Sequence, residues 1–219
     1  IADKYNLWLI EDSCDTLGAT INGKPTGSFT DLSTTSFYAS HIITSGGMGG
    51  MICMDGSTWQ KRAKVLTGWG RSSARNETED LSRFEVEVEG IPYDAKFLFE
   101  ELGYNFQVSE INAAFGLAQL EKLGNHMRLR KENFSKFFQF FERYQDYFIL
   151  PKQNPQADTA WLAFPLVVRN DAPFKRKDLI IYLEQNGIQT RPIFTGNVLR
   201  QPAFKDLPSR TSAGNYPVA

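Results

Sequence analysis

An α/β fold is what this sequence predicts, and three observations predict it. Leu7, Trp8, Leu9 and Ile10 form a continuous apolar run that stops at the acidic pair Glu11 and Asp12. That is the pattern of a parallel strand covered on both faces, and in such sheets ligands collect beyond the carboxyl ends of the strands. Residues 36–50, SFYASHIITSGGMGG, lie between two further strand-like segments at 32–37 and 49–54. Finally, Ile111, Phe115 and Ala118, and then Phe134, Phe137, Phe138 and Phe141, recur at helical spacing.

Taken in order, IADKYN reads as the end of a helix that feeds the first strand. Asn22, Gly23 and Lys24 make a turn, followed by Pro25 and a loop through Gly27. The strand at 32–37 is followed by a glycine-rich turn and the strand at 49–54, parallel or antiparallel to it. Residues 59–66 suit one short helix, and 68–83 (GWGRSSARNETEDLSR) a polar surface loop. Residues 93–102 carry apolar side chains at mixed spacing and predict no single state. Ser109 caps a helix from Val108, and a second helix follows Gly124, its phenylalanine stripe forming core. Residues 151–158 read as a linker, 161–168 as a strand, 175–186 as a helix ended by Gly187, and 190–194 as a strand. A domain boundary is placed near Gly124: residues 1–124 form a larger domain, and 125–219 a linking helix with part of a small one. The start at Ile1 and the stop at Ala219 inside a loop read as a piece of a longer protein.

Composition narrows the function. The 219 residues carry a formal charge of -1, with both signs mixed along the chain, so no global field draws nucleic acid or an anionic membrane. Two cysteines, Cys14 and Cys53, are too few for a disulfide framework or an all-cysteine metal site, which fits a reducing, cytoplasmic compartment. No apolar run approaches the roughly 20 residues of a membrane-spanning helix.

The polar residues at strand ends carry the functional expectation. Asp12 stands where a ligand would meet the first strand, or caps a turn. In residues 36–50 a serine, an aromatic and a histidine precede four glycines, which lets backbone approach a ligand closely; a tight hairpin has the same look. The second histidine, His126, reads as a surface residue of a helix.

Taken together, EDSCD at 11–15, SFYASH at 36–41, the glycine turn and GYNFQVSEINAAFGLAQLEKL at 103–123 resemble the DegT/DnrJ/EryC1/StrS family of pyridoxal-phosphate (PLP) sugar aminotransferases and dehydratases. The resemblance covers nearly the whole chain in order and spacing. It implies a fold-type I PLP-dependent transferase, with a mixed, mostly parallel sheet in the large domain and a small α+β C-terminal domain. It further implies that Asp12 contacts the pyridine nitrogen, where a carboxylate keeps the ring protonated as an electron sink. Ser36 matches the serine near the cofactor phosphate. Asn105 matches the asparagine that reaches the phosphate in the partner subunit's site, so a homodimer is implied.

Family aminotransferases carry a Schiff-base lysine five residues after the serine, and here that position is His41. Histidine cannot hold the Schiff base but can move a proton near neutral pH. The replacement, together with GNVLRQP at 196–202, resembles the branch that removes the 3-hydroxyl of a nucleotide-linked 4-keto-6-deoxyhexose with pyridoxamine phosphate (PMP). Glutamate is the implied amino donor. An iron-sulfur cluster needs about four cysteines; where the cluster-bearing branch has CxC this chain reads SSAR, so no cluster is expected. Arg191 and Arg200 are placed toward the nucleotide diphosphate, with surface ion pairs as the alternative. Ala39 replaces the usual proline, one extra residue precedes the glycine turn, and Asp15 replaces the usual glutamine or histidine. Competing readings are an ordinary aminotransferase, whose nearest lysines Lys24 and Lys61 lie outside the motif, an inactive sugar-nucleotide-binding regulator, and a generic α/β domain.

Overall fold

The computed structural model describes residues 1–75, 81–210 and 216. The chain forms two compact units, one of Ile1–Lys136 with Gln153–Ala163, the other of Phe137–Lys152 with Phe164–Ala219.

In the first unit, helix α1 (Ala2–Tyr5) ends at Asn6 in the left-handed conformation and turns the chain into strand β1 (Ile10–Asp12). Strands β2 (Thr20–Ile21) and β3 (Lys24–Pro25) form a hairpin whose turn residues, Asn22 (φ 51°) and Gly23 (φ 76°), both have the positive φ of a type I′ turn. Strand β4 (Leu32–Ser36) pairs parallel with β1, Asp12 opposite Thr34, and antiparallel with β5 (Gly50–Met54), Ser36 opposite Gly50. The result is a mixed three-stranded sheet in the order β1-β4-β5.

The run Leu7 to Ile10 is not covered on both faces as the sequence suggested. Only Ile10 belongs to β1, and Leu7, Trp8, Leu9 and Ile10 are 44–66% exposed. Among the described residues β1 is at the sheet edge, with β4 as its one ladder partner. Trp8 finds a neighbour in Trp59, edge-on with centroids 5.3 Å apart.

Trp59 lies on helix α2 (Ser57–Thr67), which runs two residues beyond the expected helix at its N-terminal side and one at its C-terminal side. The polar stretch that follows begins with a 3-10 turn at Ser72–Arg75; residues 76–80 of the expected loop lie outside the described residues. Strands β6 (Val86–Val88) and β7 (Ile91–Tyr93) then make a hairpin across Glu89 (φ 53°) and Gly90 (φ 78°). The reading of the sequence passed over it, although VEVEGIPY alternates and carries its turn glycine. Between the end of α2 and residues 99–106 the backbone is zipped closely. Tyr104 donates to Leu66 O (2.7 Å), Trp69 to Tyr104 O (2.9 Å) and Glu100 to Gly70 O (2.8 Å).

Helix α3 (Glu110–Leu120) starts two residues after the expected Val108, capped as the sequence indicated by Ser109, whose Oγ accepts the Asn112 N–H. Such a cap is worth about 1 kcal/mol. Helix α4 (Leu123–Phe141) follows directly. Within the first unit its Phe134 stacks on Trp161 (4.6 Å), and its Lys131 pairs with Asp158 of β9 (Ala157–Asp158), which pairs antiparallel with β2.

In the second unit, Phe141 contacts Phe148 and Phe164 at 5.5 Å. Aromatic pairs of this kind contribute about 0.5–1.5 kcal/mol each beyond area burial. The stripe expected to be core is only partly covered: Phe134, Phe138 and Phe141 are half-buried, Phe137 is 52% exposed, and the buried ring they lead to is Phe148. Strand β8 (Phe148–Ile149) pairs antiparallel with β10 (Val167–Val168). The strand expected at 161–168 shrinks to this pair, since Trp161 sits at φ 30° and the Arg130 guanidinium takes its carbonyl and that of Leu162. Helix α5 (Arg176–Gln185) ends as expected: Gly187 (φ 76°) donates to Glu184 O and Ile188 to Leu183 O. No strand forms at 190–194. The Glu184 carboxylate takes the Thr190 N–H and hydroxyl, and Phe194 stands at φ 50° and is 84% exposed. No described helix is long and apolar enough to cross a membrane.

Candidate active site

Asp12 and Ser36 end two neighbouring parallel strands, and the ladder fixes their relation. Asp12 pairs with Thr34, and Ser36 follows two residues later on β4, so all three side chains share one face at the carboxyl edge. Ser13 N donates to Thr34 O (2.9 Å), which carries the pairing past the strand end. Glu11 closes the loop beyond it. Its two carboxylate oxygens each accept the Gly27 N–H at 2.9 Å, and it also accepts the hydroxyl of the buried Ser13.

Asp12 is exposed, and its carboxyl titrates below the ordinary aspartate value. The Cys14 thiol is the largest cause, followed by the Cys14 N–H (3.2 Å to Oδ1) and, more weakly, the charge of His41. The anion is thus held ready at the strand end. The same hydrogen bond, with burial, pushes the Cys14 thiol above its usual value, while Cys53 is exposed. Iodoacetamide is therefore expected to alkylate Cys53 first. In a Cys14→Ala variant the Asp12 carboxyl is expected to titrate at higher pH, by carbon NMR. Equal alkylation of the two thiols, or an unmoved Asp12 titration, contradicts the pairing.

His41 follows a tight turn. Tyr38 N donates to Ser36 Oγ (3.2 Å), His41 N donates to Tyr38 O (3.1 Å), and Ser45 N donates back to Phe37 O (3.0 Å). Ile42 and Ile43, each 5% exposed, anchor the segment beneath. The imidazole stands edge-on to Tyr38, centroids 6.0 Å apart, and its Nε2 lies 3.4 Å from Asp15 Oδ1. The glycine turn closes the strand pair with Gly46 and Gly47 at φ 69° and 92°, and Phe37 N donates to Gly49 O (2.9 Å). Residues 36–50 thus join two antiparallel strands, as a hairpin reading expected, but through a loop longer than a tight turn. Helix α3 clamps that loop. Asn112 Nδ2 donates to Ser45 O (2.6 Å), and a Cβ on Gly116 would sit 2.5 Å from Ser45 Oγ.

The structure therefore brings Asp12, Ser36 and His41 to one end of the β1–β4 pair. Asn105 stands apart from them, exposed and bridged to Gly68, beside a hollow that Thr35, Met51 and Gln107 also line. Arg191 and Arg200 belong to the second unit and are exposed. Arg191 lies in the field of Glu184, and Arg200 Nη2 donates to Tyr216 O (3.2 Å). His126 is half-buried on α4. Reading the sequence assigned no role to Asp15, Tyr38 or Cys14. The signal for Asp15 was its place three residues after Asp12, and for Tyr38 its place three before His41.

A mixed sheet with polar groups at the carboxyl ends of its parallel strands, joined to an α+β unit, has the architecture of a fold-type I PLP-dependent transferase, and solved structures of that fold match it. The Escherichia coli GDP-4-keto-6-deoxy-D-mannose-3-dehydratase, solved with bound hydrated PLP, superimposes with a TM-score of 0.75 at 29% identity, over 90% of this chain and 49% of that one. The model of the DegT/DnrJ/EryC1/StrS aminotransferase family matches residues 1–219, and the chain belongs to that family. Among curated relatives, the lipopolysaccharide biosynthesis protein RfbH of Salmonella typhimurium is 37% identical over 96% of this chain and 49% of its own length. The dTDP-4-dehydro-2,6-dideoxy-D-glucose 3-dehydratase of Saccharopolyspora spinosa is 34% identical over 94% of this chain and 46% of its own length. The chain spans about half the length of the curated relatives it matches.

Proposed function

We propose that this chain is part of a PLP- or PMP-dependent 3-dehydratase acting on a nucleotide-linked 4-keto-6-deoxyhexose in deoxysugar biosynthesis, with His41 as its base. The observation that carries the reading is the convergence of an anionic Asp12, a Ser36 hydroxyl and an imidazole at one strand edge, with no lysine in the loop between Ser36 and Gly50. Three curated relatives bear names of 3-dehydratases.

The residues present fit the cofactor. A carboxylate kept ionised at the end of β1 suits a protonated pyridine nitrogen, and a serine hydroxyl on the neighbouring strand suits a phosphate. Asp12 and Ser36 would hold the group, with Asn105 serving the partner subunit's site in a homodimer. When bound, the cofactor supplies an electron sink for negative charge developing beside the sugar. This chain's own contribution would be proton movement and placement: His41 would take a proton at Nε2 and return it to the departing 3-hydroxyl, which leaves as water, while Asp12 would supply the negative charge for the ring nitrogen. Glutamate is the proposed amino donor, Arg191 and Arg200 the proposed diphosphate contacts, and residues 1–124 the proposed large-domain portion.

The test uses the full-length protein with glutamate, cofactor and GDP-, CDP- or dTDP-4-keto-6-deoxyhexose, following product mass. A product lacking the 3-hydroxyl is expected. An amino sugar in its place makes the protein an aminotransferase and overturns the assignment of His41.

A further inference from the structure

We propose that Asp15 is the positioning residue of His41, its carboxylate standing beside Nε2 and becoming the counter-charge that orients the imidazolium once this nitrogen has taken its proton. The inference rests on the reading of His41 as the base. The two ring nitrogens are not equivalent here. Nδ1 is buried and has no hydrogen-bond partner among the described residues, whereas Nε2 lies 3.4 Å from Asp15 Oδ1. The His41 side chain is 20% exposed and that of Asp15 47%, so the pair meets at the open edge of the site. A buried Nδ1 cannot exchange a proton with a bound molecule. Nε2 can, and Asp15 is the group beside it.

The charged groups facing the imidazole are Asp15 and Asp12, both contributed by the chain at and just beyond the end of β1. Tyr38 meets the ring edge-on, leaving the pairing direction to Asp15. When Nε2 gains a proton, the carboxylate becomes its ion-pair partner, an interaction stronger in the protonated state than before it. Such an interaction assists the proton transfer rather than uniform binding. Asp15 also lies three residues beyond Asp12. One short segment therefore supplies the carboxylate proposed for the cofactor and the carboxylate that orients the base, which keeps the two in fixed relation.

The experiment uses full-length protein labelled with 15N-histidine, as native, Asp15→Asn, Asp15→Ala and Asp15→Glu. The ring signals lost in His41→Asn identify His41. Both Asn and Ala variants are expected to shift the His41 ring nitrogens and to lower kcat by about tenfold or more, with KM changed less than about twofold. Asp15→Glu is expected to recover part of kcat, and unchanged circular dichroism shows that the fold persists. If the His41 ring signals are the same in native, Asn and Ala proteins, the proposal is overturned whatever the activity. If those signals shift while His41→Asn turns over like the native protein, the pairing is upheld and the base assignment falls.

Discussion

Replacing His41 by asparagine in the full-length protein is expected to slow loss of the 3-hydroxyl by about 10²–10⁴-fold, the range that a positioned acid–base group contributes. Asparagine keeps a polar group of similar reach but cannot take a proton. Because Asp12 and Ser36 are held by the strand ladder and by Cys14 and Tyr38, the cradle does not depend on the imidazole. Binding of cofactor and sugar nucleotide is therefore expected to persist, so the loss falls on kcat and not on KM. His41→Lys is also expected to lose dehydration, since an amine at that position can bond covalently to the cofactor aldehyde and withdraw the base. Single-turnover rates with saturating substrate measure both variants. An asparagine variant as fast as the native protein removes His41 from the chemistry.

The largest expected loss of stability comes from Gly70→Ala. Gly70 has φ 82°, and a Cβ there would lie 1.8 Å from Glu101 O; one on Gly103 would lie 2.1 Å from Gly70 N. The two glycines let the backbone after α2 and the backbone before Asn105 touch, and the hydrogen bonds between these segments, Trp69 N to Tyr104 O and Glu100 N to Gly70 O among them, form only at that approach. No side-chain rotation relieves a clash between a methyl group and main chain. A cost of about 3–5 kcal/mol follows, against about 1–2 kcal/mol for Gly90→Ala, whose φ is 78° but which has nothing within 4 Å. Denaturant unfolding of the two variants side by side makes the comparison. Equal costs contradict the backbone packing.

Much of this was legible in the residues. Ser109 announced the start of α3, Asn22–Gly23 the first hairpin turn and Gly187 the end of α5, because each signal acts within a few residues. The strands expected at 161–168 and 190–194 fail for the opposite reason. Their β-branched and aromatic residues suit a ladder, but Arg130 and Glu184, each from a neighbouring helix, occupy the backbone groups a ladder would use. Apolar character at Leu7 to Ile10 likewise says that a surface prefers cover without saying what supplies it. Within the candidate site, Asp12, Ser36 and His41 stand out by type and spacing. Asp15 does not, since its meaning lies in a distance of 3.4 Å across 26 residues of chain.

The loop that carries His41 is closed twice, once by Ser45 N to Phe37 O and again by Phe37 N to Gly49 O. A single residue, Phe37, thus serves as the post to which both rings of backbone are tied. The inner ring holds His41, and the outer ring alone contains the glycines. Length variation in the glycine segment changes the circumference of the outer ring and leaves the inner one as it was.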